Sequence, residues 1–154
     1  MHMKELRTRK TNRLKEFEYD ANRCYFITIC TKEMFQLFGN IKDGKMYLSE
    51  VGEIVKNEID ILAQTYESVF VNNSIVMPNH VHLIIKISTL ETAPKISQII
   101  NQWKRAISIK SEFSPWQKLY HDHIIRNRDS YQRISDYIDN NVINWSDDRF
   151  FPKK

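Results

Sequence analysis

The stretch Val76-Met77-Pro78-Asn79-His80-Val81-His82-Leu83-Ile84-Ile85 decides the fold, because it places a turn between two apolar runs. Proline followed by asparagine is typical turn chemistry, so the flanking runs predict a hairpin of two strands, at 69–77 and 80–87. Side chains alternate across a strand, so His80 and His82 lie on one of its faces. The other face carries apolar residues that should pack against helices, namely Val81, Leu83 and Ile85.

Two strands and three helices are predicted around this hairpin. The β-branched and aromatic residues of 24–30 predict a buried strand, and 116–125 predicts a fourth strand or an extended segment. Apolar residues recur at helical spacing in three segments, which are 50–66 behind Ser49 as N-cap, 96–107, and Ser130 to about Trp145. A short strand is expected at 45–48, and the polar tail 146–154 is expected to be frayed.

The order of these elements is strand, helix, hairpin, helix, strand, followed by one more helix. This order predicts an α+β ferredoxin-like sandwich, in which an antiparallel sheet carries helices on one face. The C-terminal helix carries Tyr137. The face of the sheet opposite the helices is expected to be open to a ligand, and the histidines are expected to point that way.

The composition predicts a single domain over 1–154. Hydrophobic residues make up 42% and charged residues 27% of the chain, and only 3 glycines and 4 prolines are available for linkers. The two cysteines match no zinc or redox spacing, which indicates a reducing compartment. No signal peptide and no membrane-spanning run is recognisable, so we expect a soluble, cytoplasmic protein.

The net charge of +4 leans mildly towards polyanionic partners. An N-terminal arm, about 1–20, holds six basic residues against one acid in its first fifteen positions, namely Lys4, Arg7, Arg9, Lys10, Arg13 and Lys15. Such an arm is either a solvated tail or a set of phosphate contacts. The same alternatives apply to Lys104 and Arg105 on the second predicted helix, where a solvated face is the simpler interpretation.

The histidine pair and the last helix could form one site. Two imidazoles on one face can hold a divalent ion, although an isolated His-x-His is more readily explained by chance or by hydrogen bonding. Tyr137 and Asn141 are four residues apart and therefore stacked on the helix, with Asn141 inside its apolar arc. A buried amide needs a partner, which is either the backbone or an ion such as Mg²⁺ or Mn²⁺ that prefers oxygen ligands. The tyrosine either packs in the core or attacks an electrophile that an ion polarises.

A second His-x-His occurs at His121-Asp122-His123. Its middle residue is an acid, and it lacks an apolar flank on the N-terminal side, so it is less suited to a metal. One of these histidines, with His123 preferred, is expected to contact DNA or a neighbouring backbone group.

Three segments of the chain resemble one family. Met77-Pro78-Asn79-His80-Val81-His82 resembles the histidine–hydrophobe–histidine (HUH) motif of the single-tyrosine transposases, and 116–127 and 133–141 resemble their C-terminal region. The REP-associated tyrosine transposase-like proteins are the branch to which the chain is most similar, and the resemblance spans nearly its whole length. It implies a ferredoxin-like core on which His80, His82 and Asn141 bind the metal and Tyr137 is the nucleophile. Tyr131 is the rival for that role, but no good ligand lies four residues after it.

The same family often has proline after the asparagine pair, where this chain has Val142. We therefore expect the last helix to continue towards Trp145.

The resemblance implies a metal-dependent endonuclease and strand transferase that cleaves single-stranded or hairpin DNA through a 5′-phosphotyrosine intermediate, using Mg²⁺ or Mn²⁺. Family members can share active sites between subunits, so a homodimer is an open alternative, and the protein would associate with the nucleoid when bound to DNA. DNA contacts are expected from Arg9, Lys10, Arg13, Lys15, Lys104, Arg105, His123 and Arg126. Two other interpretations are a non-catalytic module that binds single-stranded DNA or RNA and a domesticated nuclease that no longer transposes.

Overall fold

The computed structural model describes residues 23–88 and 93–153. The N-terminal arm, with Arg9, Lys10, Arg13 and Lys15, lies outside the described residues. The strands are β1 (Cys24–Cys30), β2 (Gly39–Lys42), β3 (Lys45–Leu48), β4 (Val69–Met77), β5 (His80–Ile87) and β6 (His121–Ile124). The helices are α1 (Glu50–Thr65), α2 (Ile96–Ser111) and α3 (Arg128–Asp139), with short 3₁₀ turns at Lys32–Met34 and Trp145–Asp147.

Four of the strands form one antiparallel sheet in the order β4-β5-β1-β6. The predicted hairpin is its β4-β5 pair, in which Met77 lies opposite His80 across the turn. β2 and β3 form a separate two-stranded hairpin. The predicted α+β ferredoxin-like sandwich is confirmed.

Helices α1 and α2 cover one face of the sheet. The face contributes Ile27 and Ile29 from β1 together with the predicted residues of β5, which are Val81, Leu83 and Ile85. Ser49 is the N-cap of α1, as predicted, because its hydroxyl accepts a hydrogen bond from the Gly52 amide at 3.1 Å. No helix among the described residues is long and apolar enough to cross a membrane.

Helix α3 packs on the opposite face, where the histidines lie. Its buried residues Tyr131 and Ile138 join a second apolar cluster with Cys24, Ile84 and Ile125. This side of the sheet is therefore partly covered rather than fully open. Tyr131 belongs to the core of the protein.

Two predictions about the C-terminal region are wrong. Helix α3 ends at Asp139 and does not continue to Trp145, since Asn140 leaves helical geometry and its side chain donates to the Asp136 carbonyl at 2.9 Å. Asparagine competes for backbone hydrogen bonds in this way, which ends helices. The tail is also folded onto the site rather than frayed at 146–151, because the Phe150 ring packs against His80 with centroids 4.4 Å apart.

The fourth strand is shorter than the segment predicted for it. β6 pairs with β1 over four residues, from His121 to Ile124. Earlier in the predicted segment, Trp116 forms an isolated bridge with Thr31, and its ring packs in the core between Phe38 and Trp103.

Candidate active site

The two histidines of β5 point away from α1 and α2, and they are buried. His80 is 0% exposed and His82 is 2% exposed. Their ring centroids are 4.6 Å apart, with the planes at 71°. The alternation of a β-strand thus brings both imidazoles to one place on the sheet, as predicted.

Hydrogen bonds to Nδ1 fix the orientation of both rings. The Asn79 amide donates through Nδ2 to the Phe150 carbonyl at 2.9 Å, so its Oδ1 faces His80 Nδ1 at 2.8 Å and accepts a hydrogen bond from that nitrogen. His82 Nδ1 lies 2.9 Å from Thr28 Oγ1. A histidine whose Nδ1 carries the proton leaves the lone pair of Nε2 free, which is the arrangement of a metal-binding imidazole.

Five buried side-chain atoms have no hydrogen-bond partner within the described part of the chain: two are the donors Arg23 Nε and Trp103 Nε1, and the other three belong to the residues expected to bind metal. These three are His80 Nε2, His82 Nε2 and Asn141 Oδ1. An unsatisfied buried polar atom costs about 1–3 kcal/mol, so native structures keep few of them without a function. All three atoms carry lone pairs, and two imidazole nitrogens with one amide oxygen form a donor set that fits Mn²⁺ or Mg²⁺.

Burial also fixes the charge of the pair. Desolvation lowers the pKa of His80 to about 3, although the Asn141 side chain beside it opposes the shift. Desolvation lowers the pKa of His82 to about 3 as well, and the neighbouring His80 adds to the effect. Both rings are therefore neutral at pH 7, which is the form that binds a cation.

Tyr137 of α3 lies at the mouth of this site. Its ring meets that of His82 with centroids 5.3 Å apart and planes at 63°, while 39% of the residue stays exposed. Its hydroxyl donates to Asp148 Oδ2 at 3.0 Å. Burial, and then the negative charge of Asp148, raise the pKa of Tyr137 to about 12.

The third predicted ligand, Asn141, lies just beyond the end of α3 and is buried. Its Nδ2 donates to the same Asp148 oxygen at 2.6 Å. The structure thus brings His80, His82, Tyr137 and Asn141 together. Among the described residues, no group of three His, Cys, Asp or Glu side chains could hold a metal ion, so a metal site here depends on the amide.

Sequence reasoning missed the contribution of the C-terminal segment. Asp148, Arg149 and Phe150 line a cavity of about 530 Å³ beside Tyr137 and His82. One signal was available, since two aromatic residues follow Arg149 in a segment that is otherwise polar, and aromatic side chains tend to be buried.

Two solved structures share this architecture. One is a REP-associated tyrosine transposase bound to a REP hairpin, with a TM-score of 0.64 and 20% identity over 80% of this chain and 68% of that one. The other, from Deinococcus radiodurans R1, is named as a candidate transposase and has a TM-score of 0.53 and 19% identity over 76% of this chain and 88% of that one. This chain has a REP-associated tyrosine transposase-like fold.

A protein of Haemophilus influenzae without an assigned function is 32% identical over 167 aligned positions, which cover 93% of each chain. The two proteins belong to one family. No family model matches the chain.

The residues expected to contact DNA are distributed over both sides of the transposase-like fold. His123 lines the cavity, because its pairing with Phe26 puts it on the face that carries His82. Arg126 is exposed just after β6, and Arg105 is exposed on α2, behind the sheet. The Lys104 ammonium donates to the carbonyls of Gln117 and Lys118 at 3.1 and 3.2 Å, so it holds a loop in place. Their contacts with DNA stay predictions.

Proposed function

We propose that this protein is a metal-dependent endonuclease and strand transferase that cleaves single-stranded DNA with Tyr137 as the nucleophile. The observation that supports this most directly is the position of the phenol beside three buried, unpartnered metal-type donors. A purely structural site would bury the phenol or pair those donors.

His80 Nε2, His82 Nε2 and Asn141 Oδ1 would hold a divalent ion, Mn²⁺ or Mg²⁺. When bound, the ion supplies Lewis-acid polarisation of the phosphodiester and helps to orient it. The protein contributes rings that are already neutral and already oriented by Asn79 and Thr28, so little reorganisation is needed on binding.

The reaction proposed for Tyr137 is a transesterification. The Oη–phosphorus bond forms and the bond from phosphorus to the 3′ oxygen breaks, with its electron pair leaving on that oxygen. The phenol gives up one proton and the leaving oxygen takes one up, so the products are a 5′-phosphotyrosine and a free 3′-OH. The phosphotyrosine conserves the energy of the ester bond, and a second 3′-OH can therefore join strands by the reverse step without ATP.

The proposed substrate is single-stranded DNA next to a hairpin, because the similar REP-associated transposase was solved bound to a REP hairpin. The cavity beside Tyr137 has aromatic and imidazole groups in its wall, including Phe26 and His123, on which a base could stack. The positive net charge of the chain favours a phosphate backbone. The contact between Tyr137 and His82 of the same chain supports a site formed within one subunit.

The test is a labelled single-stranded hairpin oligonucleotide incubated with the protein and Mn²⁺, then run on a denaturing gel. We expect a protein–DNA adduct that is lost when EDTA removes the metal, in Tyr137→Phe, and in the His80→Ala, His82→Ala double variant. Tyr131→Phe is the matched control and should keep the adduct. An adduct of normal yield from Tyr137→Phe would refute the assignment of the nucleophile.

A non-catalytic binding module is the second candidate. Phe26 and His123 face each other across β1 and β6 and offer stacking surfaces at the edge of the sheet. Such a module would bind the same oligonucleotide without Mn²⁺ and would leave no DNA attached to protein after denaturation.

A further inference from the structure

A single carboxylate oxygen connects the candidate nucleophile to the candidate third ligand. Asp148 Oδ2 accepts a hydrogen bond from Tyr137 Oη at 3.0 Å and another from Asn141 Nδ2 at 2.6 Å. Its second oxygen, Oδ1, accepts from the Phe150 amide at 2.8 Å. Every oxygen of this carboxylate is therefore engaged by the site or by the segment that carries it.

The carboxylate is itself held in place by its own backbone. The Asp148 amide donates to the Trp145 carbonyl at 3.0 Å, and the Phe151 amide donates to the Asp148 carbonyl at 3.0 Å. Trp145 is buried, and the Phe150 ring packs on His80. Asp148 thus stands on a folded segment that is fastened to the histidine side of the site.

An asparagine side chain has two ends of similar shape but opposite chemistry. Its oxygen can bind a cation, whereas its NH₂ group can only donate. An ionised carboxylate only accepts, so Asp148 selects the rotamer in which Nδ2 of Asn141 faces it. The other end, Oδ1, is then left without a partner among the described residues, as are the Nε2 atoms of the two histidines.

We propose that Asp148 is a positioning residue that turns the oxygen of Asn141 towards the imidazole pair and holds the Tyr137 hydroxyl next to it. The inference rests on the proposed function, because it assigns a task to Asp148 within that metal site. Residues that orient a metal ligand in this way typically change metal affinity about ten- to hundredfold when they are removed.

The experiment is calorimetric titration of Mn²⁺ into the full-length protein without DNA. It is done in the Tyr137→Phe background, which removes the phenol's hydrogen bond and keeps the one to Asn141. We expect Asp148→Ala to weaken Mn²⁺ binding about ten- to hundredfold. Asp148→Asn should weaken it less, since a carbonyl oxygen still accepts from Asn141 but without the charge. Asp147→Ala, which removes the same charge one residue away, is the matched control and should change the affinity about twofold at most.

A double-mutant cycle with Asn141→Ala separates positioning from general loss of structure. Without the amide, Asp148→Ala and Asp148→Asn should cause no further loss of Mn²⁺ affinity, so the two sites are strongly coupled. If Asp148→Ala does not fold, the Asp148→Asn half of the cycle makes the same test. Equal Mn²⁺ affinity in the Asp148 variants and their parent would overturn the inference, and so would losses that simply add. If the wild-type protein binds no Mn²⁺, it is the proposed function that fails.

Discussion

The ring of Tyr137 rests edge-on against that of His82, with centroids 5.3 Å apart. This contact joins residues that are 55 positions apart in the chain, and it brings the phenol ring of the last helix to the imidazoles of the hairpin. The position follows from α3 packing on the histidine face through Ile138 and Tyr131. This site and the segment behind it have consequences that can be measured.

The buried histidines should make the metal-free protein sensitive to mild acid. The pKa of each is lowered to about 3 in the folded state from an ordinary 6.5, so the unfolded chain binds more protons between these values. Stability should therefore be complete above pH 6.5 and fall as the pH drops, by up to about 1.4 kcal/mol per pH unit for each histidine. Urea unfolding with EDTA at pH 7.5, 6.5 and 5.0 measures the loss of stability. Most carboxyl groups titrate below this pH range, so the change over it reports mainly on the histidines. A His80→Gln, His82→Gln double variant with the same slope as the wild type would contradict it.

Replacing Asp148 by Asn should lower the pKa of Tyr137. Burial is the largest cause of the value of about 12, and it remains in the variant, but the charge and the ionic hydrogen bond of Asp148 are lost. The pKa should still lie above the ordinary value of 10. Phenolate absorbance as a function of pH measures it, and subtracting the titration of Tyr137→Phe removes the other six tyrosines. An unchanged titration would mean that the carboxylate does not act on the phenol.

The folded tail should contribute measurably to stability. Trp145 is 7% exposed, so Trp145→Ala should cost about 3–5 kcal/mol of unfolding free energy, as for other buried aromatic residues. Ile143, two residues earlier, is 73% exposed, and Ile143→Ala should change stability by about 0.5 kcal/mol or less. Chemical denaturation compares the two. A Trp145→Ala variant as stable as the wild type would show that the segment does not pack in solution.

His123, which lines the cavity, and Arg126, which is exposed just after β6, should contribute more to DNA affinity than a charge on the separate β2-β3 hairpin. We expect His123→Ala and Arg126→Ala to weaken binding of a single-stranded hairpin, with Arg126→Ala reducing the slope of log affinity against log salt by about 0.7 as one phosphate contact is lost. Fluorescence anisotropy in the Tyr137→Phe background measures binding without covalent capture. Lys45→Ala, an exposed charge in the β2-β3 hairpin, is the control and should keep both affinity and slope.

The fold was predictable because its information is local. The Pro78-Asn79 turn, the alternation of β5 and the helical spacing of α1 each depend on neighbours within a few residues. The hairpin then constrains the order of the sheet, since β4 and β5 must be adjacent. The two histidines were predictable for the same reason, because the period of a strand alone puts them on one face.

The rest of the site depends on contacts that periodicity does not encode. Asp148 reaches Tyr137 and Asn141 only because α3 ends at Asp139 and the chain turns back in a short 3₁₀ segment. The contact of Phe150 with His80 spans 70 residues. The charged residues of 146–154 indicate a polar tail. Phe150 and Phe151 pack against His80 and Trp145, but they follow no periodic pattern from which these contacts could be predicted. Lys104 similarly looks like any exposed lysine until the loop carbonyls it binds are seen.

Asn79 should be part of the pattern when other sequences are searched for this histidine site. Asn79 is fully buried. Its Nδ2 donates to the Phe150 carbonyl and its Oδ1 accepts from His80 Nδ1, and another side chain does not reproduce both hydrogen bonds. Aspartate at this position would place an acceptor opposite the Phe150 carbonyl, which is itself an acceptor. Leucine would make neither hydrogen bond and would leave the His80 ring free to rotate. A sequence pattern for this histidine site is therefore more specific when it includes the asparagine that precedes the first histidine.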